Sequence, residues 1–189
     1  MNAMFFINAL LLGVGLAMDA FSVSMANGLI EPQMKRGKAF AIAGVFGGFQ
    51  TVMPLIGWLC VHTLFEAFSV FRKFVPWIAL VLLGIIGGKM IYEGVKGENA
   101  KAAVGVGGLL LQGVATSIDA LSVGLTIAEY DWLSALVEAL IIGAVTFGIC
   151  FGGVHIGRKL GTKLSGKASI LGGAILLIIG IEIFLKGIL

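Results

Sequence analysis

In this chain of 189 residues, 59% are hydrophobic, 12% are charged and the mean hydropathy is +1.07, which excludes an ordinary soluble domain and calls for a bilayer. The net charge of +3 sits in short stretches between apolar runs rather than on a basic face with stacking aromatics, so no nucleic-acid partner is expected. Two cysteines, Cys60 and Cys150, both within apolar runs, exclude a disulfide scaffold or a multi-Cys metal site.

A helix needs about 20 predominantly apolar residues to cross a bilayer. Apolar runs bounded by charges predict six such spans, at 5–28, 39–62, 75–94, 104–128, 133–156 and 168–187, with no room among them for a separate soluble catalytic domain. The first contains Asp19 and lacks the basic leader of a cleavable signal peptide. The second carries Gln50 four residues before Pro54 and ends near His62. A Pro inside a span frees a backbone carbonyl, so Gln50 and its neighbouring carbonyls are either ligands or partners of the interrupted backbone. The third holds Lys89, and the fourth holds Asp119 flanked by Thr116, Ser122 and Thr126. The fifth ends near His155, and the sixth contains Glu182. Met18 and Met25, and glycine pairs such as Gly47-Gly48, Gly87-Gly88 and Gly172-Gly173, read as packing or hinge positions, because small residues let helices approach closely in lipid.

Counting Lys and Arg by connection places nine in the first, third and fifth and three on the other side, with Lys89 inside a span. The positive-inside rule then puts the odd connections in the cytoplasm and both termini outside it.

The chain also repeats itself. Asp19-Ala20-Phe21-Ser22-Val23 recurs as Asp119-Ala120-Leu121-Ser122-Val123 at an offset of 100 residues, which continues through Ile42 and Ile142 to Gly57 and Gly157. In the third pair of spans the offset is 93, matching Gly87 to Gly180 and Lys89 to Glu182. Residues 1–96 and 97–189 therefore form two three-helix repeats of one membrane domain. An odd number of spans per repeat makes the two inverted, the arrangement by which transporters alternate access to a site near the midplane. The predicted fold class is an all-α integral membrane protein of six transmembrane helices.

An isolated carboxylate at the bilayer centre costs at least ~2.5 kcal/mol on insertion scales, so a matched pair, Asp19 and Asp119, needs a reason. Helical spacing puts Ser22 on the face of Asp19, and Thr116, Ser122 and Thr126 on that of Asp119. Brought together, two carboxylates with hydroxyl and amide oxygens suit a hard divalent cation such as Mn²⁺ or Mg²⁺, whose charge the two carboxylates neutralise. The alternative is that each Asp fastens helices through Lys89 or a hydroxyl. Lys89 and Glu182 read as snorkelling or ion-paired structural charges, or as a gate. No phosphate-binding Gly-x-x-x-x-Gly-Lys-Ser/Thr loop and no nucleophile–base pair is present, so neither an ATPase nor an enzyme is expected.

Across the chain, Ala17-Met18-Asp19-Ala20-Phe21, Met53-Pro54-Leu55-Ile56-Gly57-Trp58, Gly87-Gly88-Lys89-Met90-Ile91-Tyr92-Glu93-Gly94, Ala115-Thr116-Ser117-Ile118-Asp119-Ala120 and Ile170-Leu171-Gly172-Gly173 resemble, in order, the motifs of the bacterial manganese efflux pump family, MntP. The resemblance implies an inner-membrane exporter of Mn²⁺, with the family's paired Asp motif on Asp19 and Asp119. Gln50 stands where some members carry Glu. The wider group of six-helix exporters, which includes lysine and cadmium exporters, supplies the alternatives, and a non-transporting membrane scaffold is a third.

The expectation is therefore a secondary transporter of Mn²⁺ in the cytoplasmic membrane, with Asp19 and Asp119 as metal ligands supported by Ser22, Ser122, Thr116 and Gln50. Mn²⁺ is cargo, no resident cofactor is expected, the lipid bilayer is the surrounding partner, and protons are the candidate counter-ion.

Overall fold

A computed structural model describes residues 3–63, 77, 80–81, 83–89, 91–92, 94–95, 105–164 and 167–188, and all regular structure among them is helical. Helix α1 is Ala3–Ile30, α2 is Arg36–Thr63, α3 is Val106–Thr116, α4 is Ile118–Thr126, α5 is Trp132–Leu164 and α6 is Ala168–Ile188. The residues described between 77 and 95 are helical as well, on the expected third span. The connections carrying Arg72 and Lys73, and Lys96 and Lys101, lie outside the described residues, as does the expected repeat boundary at 96/97.

At 1.5 Å rise per residue, the 28 residues of α1, the 28 of α2 and the 33 of α5 each exceed the ~30 Å hydrocarbon core. These three are apolar enough to cross a membrane singly, and α3 with α4, bent by 44° at the break between them, has the length and apolarity of a span only as a pair. Within the expected fourth span, 104–128, the helix is interrupted at Ser117.

Local chemistry explains the bend. Thr116 Oγ1 donates to the Gln112 carbonyl at 2.9 Å and Ser117 Oγ to the Gly113 carbonyl at 2.7 Å. Two successive hydroxyls compete for carbonyls that would otherwise serve the helix ladder, which bends helices. The Ser117 N–H turns to the Val114 carbonyl, tightening the last turn of α3, and α4 restarts at Ile118. The matching residues of the first repeat, Leu16 and Ala17, have no hydroxyls, and α1 runs unbroken past them.

Small residues fill much of the interior. Ala9, Ala17, Ala20, Ala26, Ala39, Ala43, Ala135 and Ala139 are fully buried beside Leu29, Ile42, Phe46, Ile142 and Leu176, while Met4, Ile7, Leu11, Ile178 and Ile181 face outward. Glycines bring backbones together: a Cβ on Gly28 would strike the Val154 carbonyl oxygen, and one on Gly157 the Met25 carbonyl oxygen. Contacts of Gly13 with Val145, Phe21 with Gly153 and Leu29 with Gly161 advance together, so α1 and α5 run parallel. Contacts of Thr51 with Gly143, Gly47 with Phe147 and Phe40 with Phe151 run oppositely, so α2 and α5 are antiparallel. Gly57 on α2 lies against Leu121 and Gly124 of α4. In the paired glycines, one member packs and the other is open: Gly47 meets Gly143 while Gly48 meets nothing, and Gly87 meets Gly173 while Gly88 meets nothing.

Candidate functional site

The polar centre of the bundle forms where α2 crosses the helices that carry the two Asp residues. Gln50 is fully buried, and its amide Nε2 donates to two carbonyls, Leu16 O at 3.2 Å and Thr116 O at 3.1 Å. These acceptors are repeat equivalents at the 100-residue offset, and each lies three residues before its Asp. One side chain therefore clamps corresponding turns of α1 and the α3–α4 break. Its Oε1 is buried with no hydrogen-bond partner among the described residues. A buried carbonyl oxygen in that condition carries the full desolvation cost of an unmade bond, and a cation is one partner able to recover it.

Each carboxylate follows a clamped carbonyl by three residues along the chain. Asp19 lies half-buried inside the continuous α1, and Asp119 is exposed in the first turn of α4. The break gives Asp119 a distinct setting: it stands at the amino-terminal end of a half-helix, where the dipole favours negative charge, and its Oδ1 accepts from the Ala120 N–H at 2.9 Å. Ser22 is half-buried and donates to the Met18 carbonyl at 3.1 Å, and Ser122 is half-buried. Thr116 is buried with its hydroxyl turned back into α3, so at this position the carbonyl, not the hydroxyl, joins the centre. The spacing argument that set Thr116 on the face of Asp119 assumed an unbroken helix.

Lys89 and Glu182 are both exposed, away from the buried centre. His155 is exposed, with its ring 5.3 Å from that of Phe151, while the side chain of His62 lies outside the described residues. Cys60 and Cys150 are free thiols. No group of three or more His, Cys, Asp or Glu converges as a metal cluster among the described residues. A cation held here would draw on carboxylates in ones or twos, completed by neutral oxygens, a donor set for hard divalent ions.

Sequence reading passed over two polar features. Asn27 Nδ2 donates to Gln112 Oε1 at 2.8 Å, a buried amide pair that ties α1 to α3. Glu138, in the second turn of α5, is 2% exposed, with Oε2 unpartnered among the described residues. Each was visible as a polar residue in an apolar run, but neither repeats as a like residue that would draw attention to it: at the 100-residue offset Asn27 matches Ile127 and Gln112 matches Leu12, while Glu138 matches Lys38, a charge of opposite sign in the first turn of α2.

Set beside known proteins, the chain matches over residues 33–184 the profile of a family described as "Putative manganese efflux pump". It is 43% identical to a protein of Clostridium botulinum strain Hall named "Putative manganese efflux pump MntP 2", with 95% of this chain and 94% of that one aligned. Proteins named "Putative manganese efflux pump MntP" are 41% identical in Clostridium perfringens strain SM101, across 95% of this chain and 94% of that one, and 42% identical in Rippkaea orientalis, across 97% of both. No solved structure matches the chain.

Proposed function

The chain belongs to the manganese efflux pump family, and from that premise we propose that it is a secondary transporter that carries Mn²⁺ out of the cytoplasm. The metal binds near the midplane between Asp19 and Asp119, with Gln50 Oε1 and nearby hydroxyl and carbonyl oxygens completing its shell. The observation that carries this reading is the Gln50 clamp: one amide donates to equivalent carbonyls three residues before each Asp and keeps a buried oxygen unpartnered beside them.

Helix packing supports alternation of two inverted halves. Helix α1 packs along α5, and its repeat counterpart, α3 with α4, packs on α2, the counterpart of α5. In the third pair, Gly87 meets Gly173 while Gly180 meets Leu80, which is the same contact read from the other half at the 93-residue offset. The end of α1 is tied to the start of α2 by the Glu31–Lys38 ion pair, and Arg158 Nε donates to Pro32 O at 3.1 Å. Trp58 Nε1 donates to Tyr130 O at 3.1 Å at the other end. The first connection and the end of α5 thus meet at one end of the bundle, and α2 meets the fourth connection at the other; the Lys and Arg bias then assigns the first of these ends to the cytoplasm, in the inner membrane, with both termini outside.

Two carboxylates left without a cation in a low-dielectric cavity repel, so the empty site takes up a proton. Release of Mn²⁺ outside is then linked to proton uptake, and one or two protons return inward to be released as cytoplasmic Mn²⁺ binds. Proteoliposomes of the purified protein with a pH-sensitive dye in the lumen test this. The expected outcome is Mn²⁺ flux with an opposing proton movement, lost to a large extent in Asp19→Asn and in Asp119→Asn. Flux without protein-dependent pH change excludes proton exchange, and full flux in both variants removes the Asp pair. A panel of Fe²⁺, Co²⁺, Cd²⁺ and lysine in the same vesicles separates manganese from the substrates of the wider exporter group.

A further inference from the structure

Glu138 lies in none of the roles above. A carboxylate 2% exposed is rare unless it is paired, and its Oε2 has no hydrogen-bond partner among the described residues. It borders an open cleft of about 610 Å³ between the first half of α1, the end of α4 and the start of α5, whose apolar side is Leu11, Leu12 and Ile127. Asn8, Gly15, Leu16, Thr126 and Tyr130 form much of the wall, and no Lys or Arg is among the described lining residues to neutralise the carboxylate.

The cleft has a direction. Asn8 and Tyr130 lie toward the end of the bundle where α1 begins and α5 starts, the end that faces outside under the topology proposed above. Leu16 lies at the inner part of the wall; its carbonyl accepts from Gln50, and it precedes Asp19 by one turn. On the opposite wall, Thr126 follows Asp119 by seven residues, two turns along the same helical face. The space thus extends from the neighbourhood of the paired Asp centre to the helix ends, with one buried carboxylate along it.

We propose that Glu138 forms a second cation station in this vestibule, which receives a divalent cation, still partly hydrated, between the midplane pair and the exterior. A single carboxylate with amide, hydroxyl and water oxygens binds such an ion more weakly than two carboxylates do, the order needed for a cation to move outward and leave. The inference rests on the transport reading for its direction, but the site itself is testable without transport.

Purified full-length protein in lipid nanodiscs is titrated with MnCl₂ while free Mn²⁺ is followed by electron paramagnetic resonance. Asp19→Asn/Asp119→Asn should keep a weaker Mn²⁺ site, and adding Glu138→Gln should weaken that site roughly tenfold or more, as loss of metal-site groups does. Glu138→Asp should restore part of the binding, and Thr126→Val, which leaves the carboxylate in place, should weaken it severalfold. Should Glu138→Gln fail to yield monodisperse protein, the Thr126→Val and Glu138→Asp titrations carry the test. Unchanged Mn²⁺ binding on removing Glu138, or a double Asn variant that binds none, overturns the proposal. Failure of the midplane reading looks different: the double Asn variant then matches the wild type, while Glu138→Gln still loses its own site.

Discussion

Gln50 shows how much one side chain can organise in a membrane interior. Its position before Pro54 suggested a choice between ligand and backbone partner, and its amide serves both ends: nitrogen on two carbonyls, oxygen left over. Replacing it with Leu removes both donors and leaves Leu16 O and Thr116 O short of a bond in a dry interior. We expect Gln50→Leu to lose about 1–3 kcal/mol of stability, read as an earlier thermal transition in detergent, and to lose Mn²⁺ flux. A variant that keeps wild-type stability and flux would show that the clamp is incidental. Asp19 and Asp119 share a sequence motif but not a setting, since only Asp119 begins a helix.

At the scale of elements, glycine marks where helices touch, and the structure separates glycines that matter from those that do not. An added methyl at Gly28 or Gly157 meets backbone that cannot yield, whereas at Gly44 or Gly48 it meets open space. Gly157→Ala and Gly28→Ala should each cost about 1–3 kcal/mol and lower the amount of protein in the membrane, while Gly44→Ala and Gly48→Ala should be close to neutral. Equal behaviour of all four, measured by membrane abundance and thermal unfolding, would contradict the close packing of α1 on α5. The start of α5 offers a pH test. Asp131 caps it by accepting the Ala135 N–H through its carbonyl, and its carboxylate accepts from Ser134 Oγ at 2.6 Å. The Ser134 hydroxyl is the main reason that the Asp131 carboxyl sits below its ordinary value. Because the folded value is the lower one, the stabilisation is complete above about pH 4 and fades as pH falls through the carboxylate range. Ser134→Ala should therefore lower the thermal transition more at pH 7 than near pH 3; a loss of equal size at both would assign the effect to packing.

For the whole molecule, sidedness is the consequential prediction. The nine-to-three bias of Lys and Arg predicts Lys163 in the cytoplasm and Leu189 outside, and the hydrogen bond from Arg158 to Pro32 holds the first connection and the end of α5 at one end of the bundle, as that prediction requires. Reporter fusions after Leu189 and within the connection near Lys163 should report opposite sides. A cytoplasmic reporter after Leu189 with an outside one near Lys163 would reverse the sidedness; both reporters on one side would remove the sixth crossing, and the inverted arrangement of two three-span halves would fail with it.

Membrane residence and helical class were legible from composition, because lipid admits only helices or closed barrels and apolar runs of span length point to the former. The identical Asp-Ala-x-Ser-Val strings exposed the duplication, and the motif series exposed the family, since both are properties of residue order. Three matters needed the tertiary structure. The break between α3 and α4 arises from Thr116 and Ser117 hydroxyls, whose competition for carbonyls is decided by local geometry rather than by an apolar pattern that reads straight through. At that break the Thr116 hydroxyl turns back to the Gln112 carbonyl while its own carbonyl accepts from Gln50, an arrangement that helical spacing alone does not give. Glu138 acquired meaning only from its surroundings: a lone acid near a helix end reads as a solvated charge until α1 and α4 close over it and leave a cleft at its side. Burial is a property of what packs around a residue, and in this fold the packing comes from helices more than a hundred residues apart in the chain.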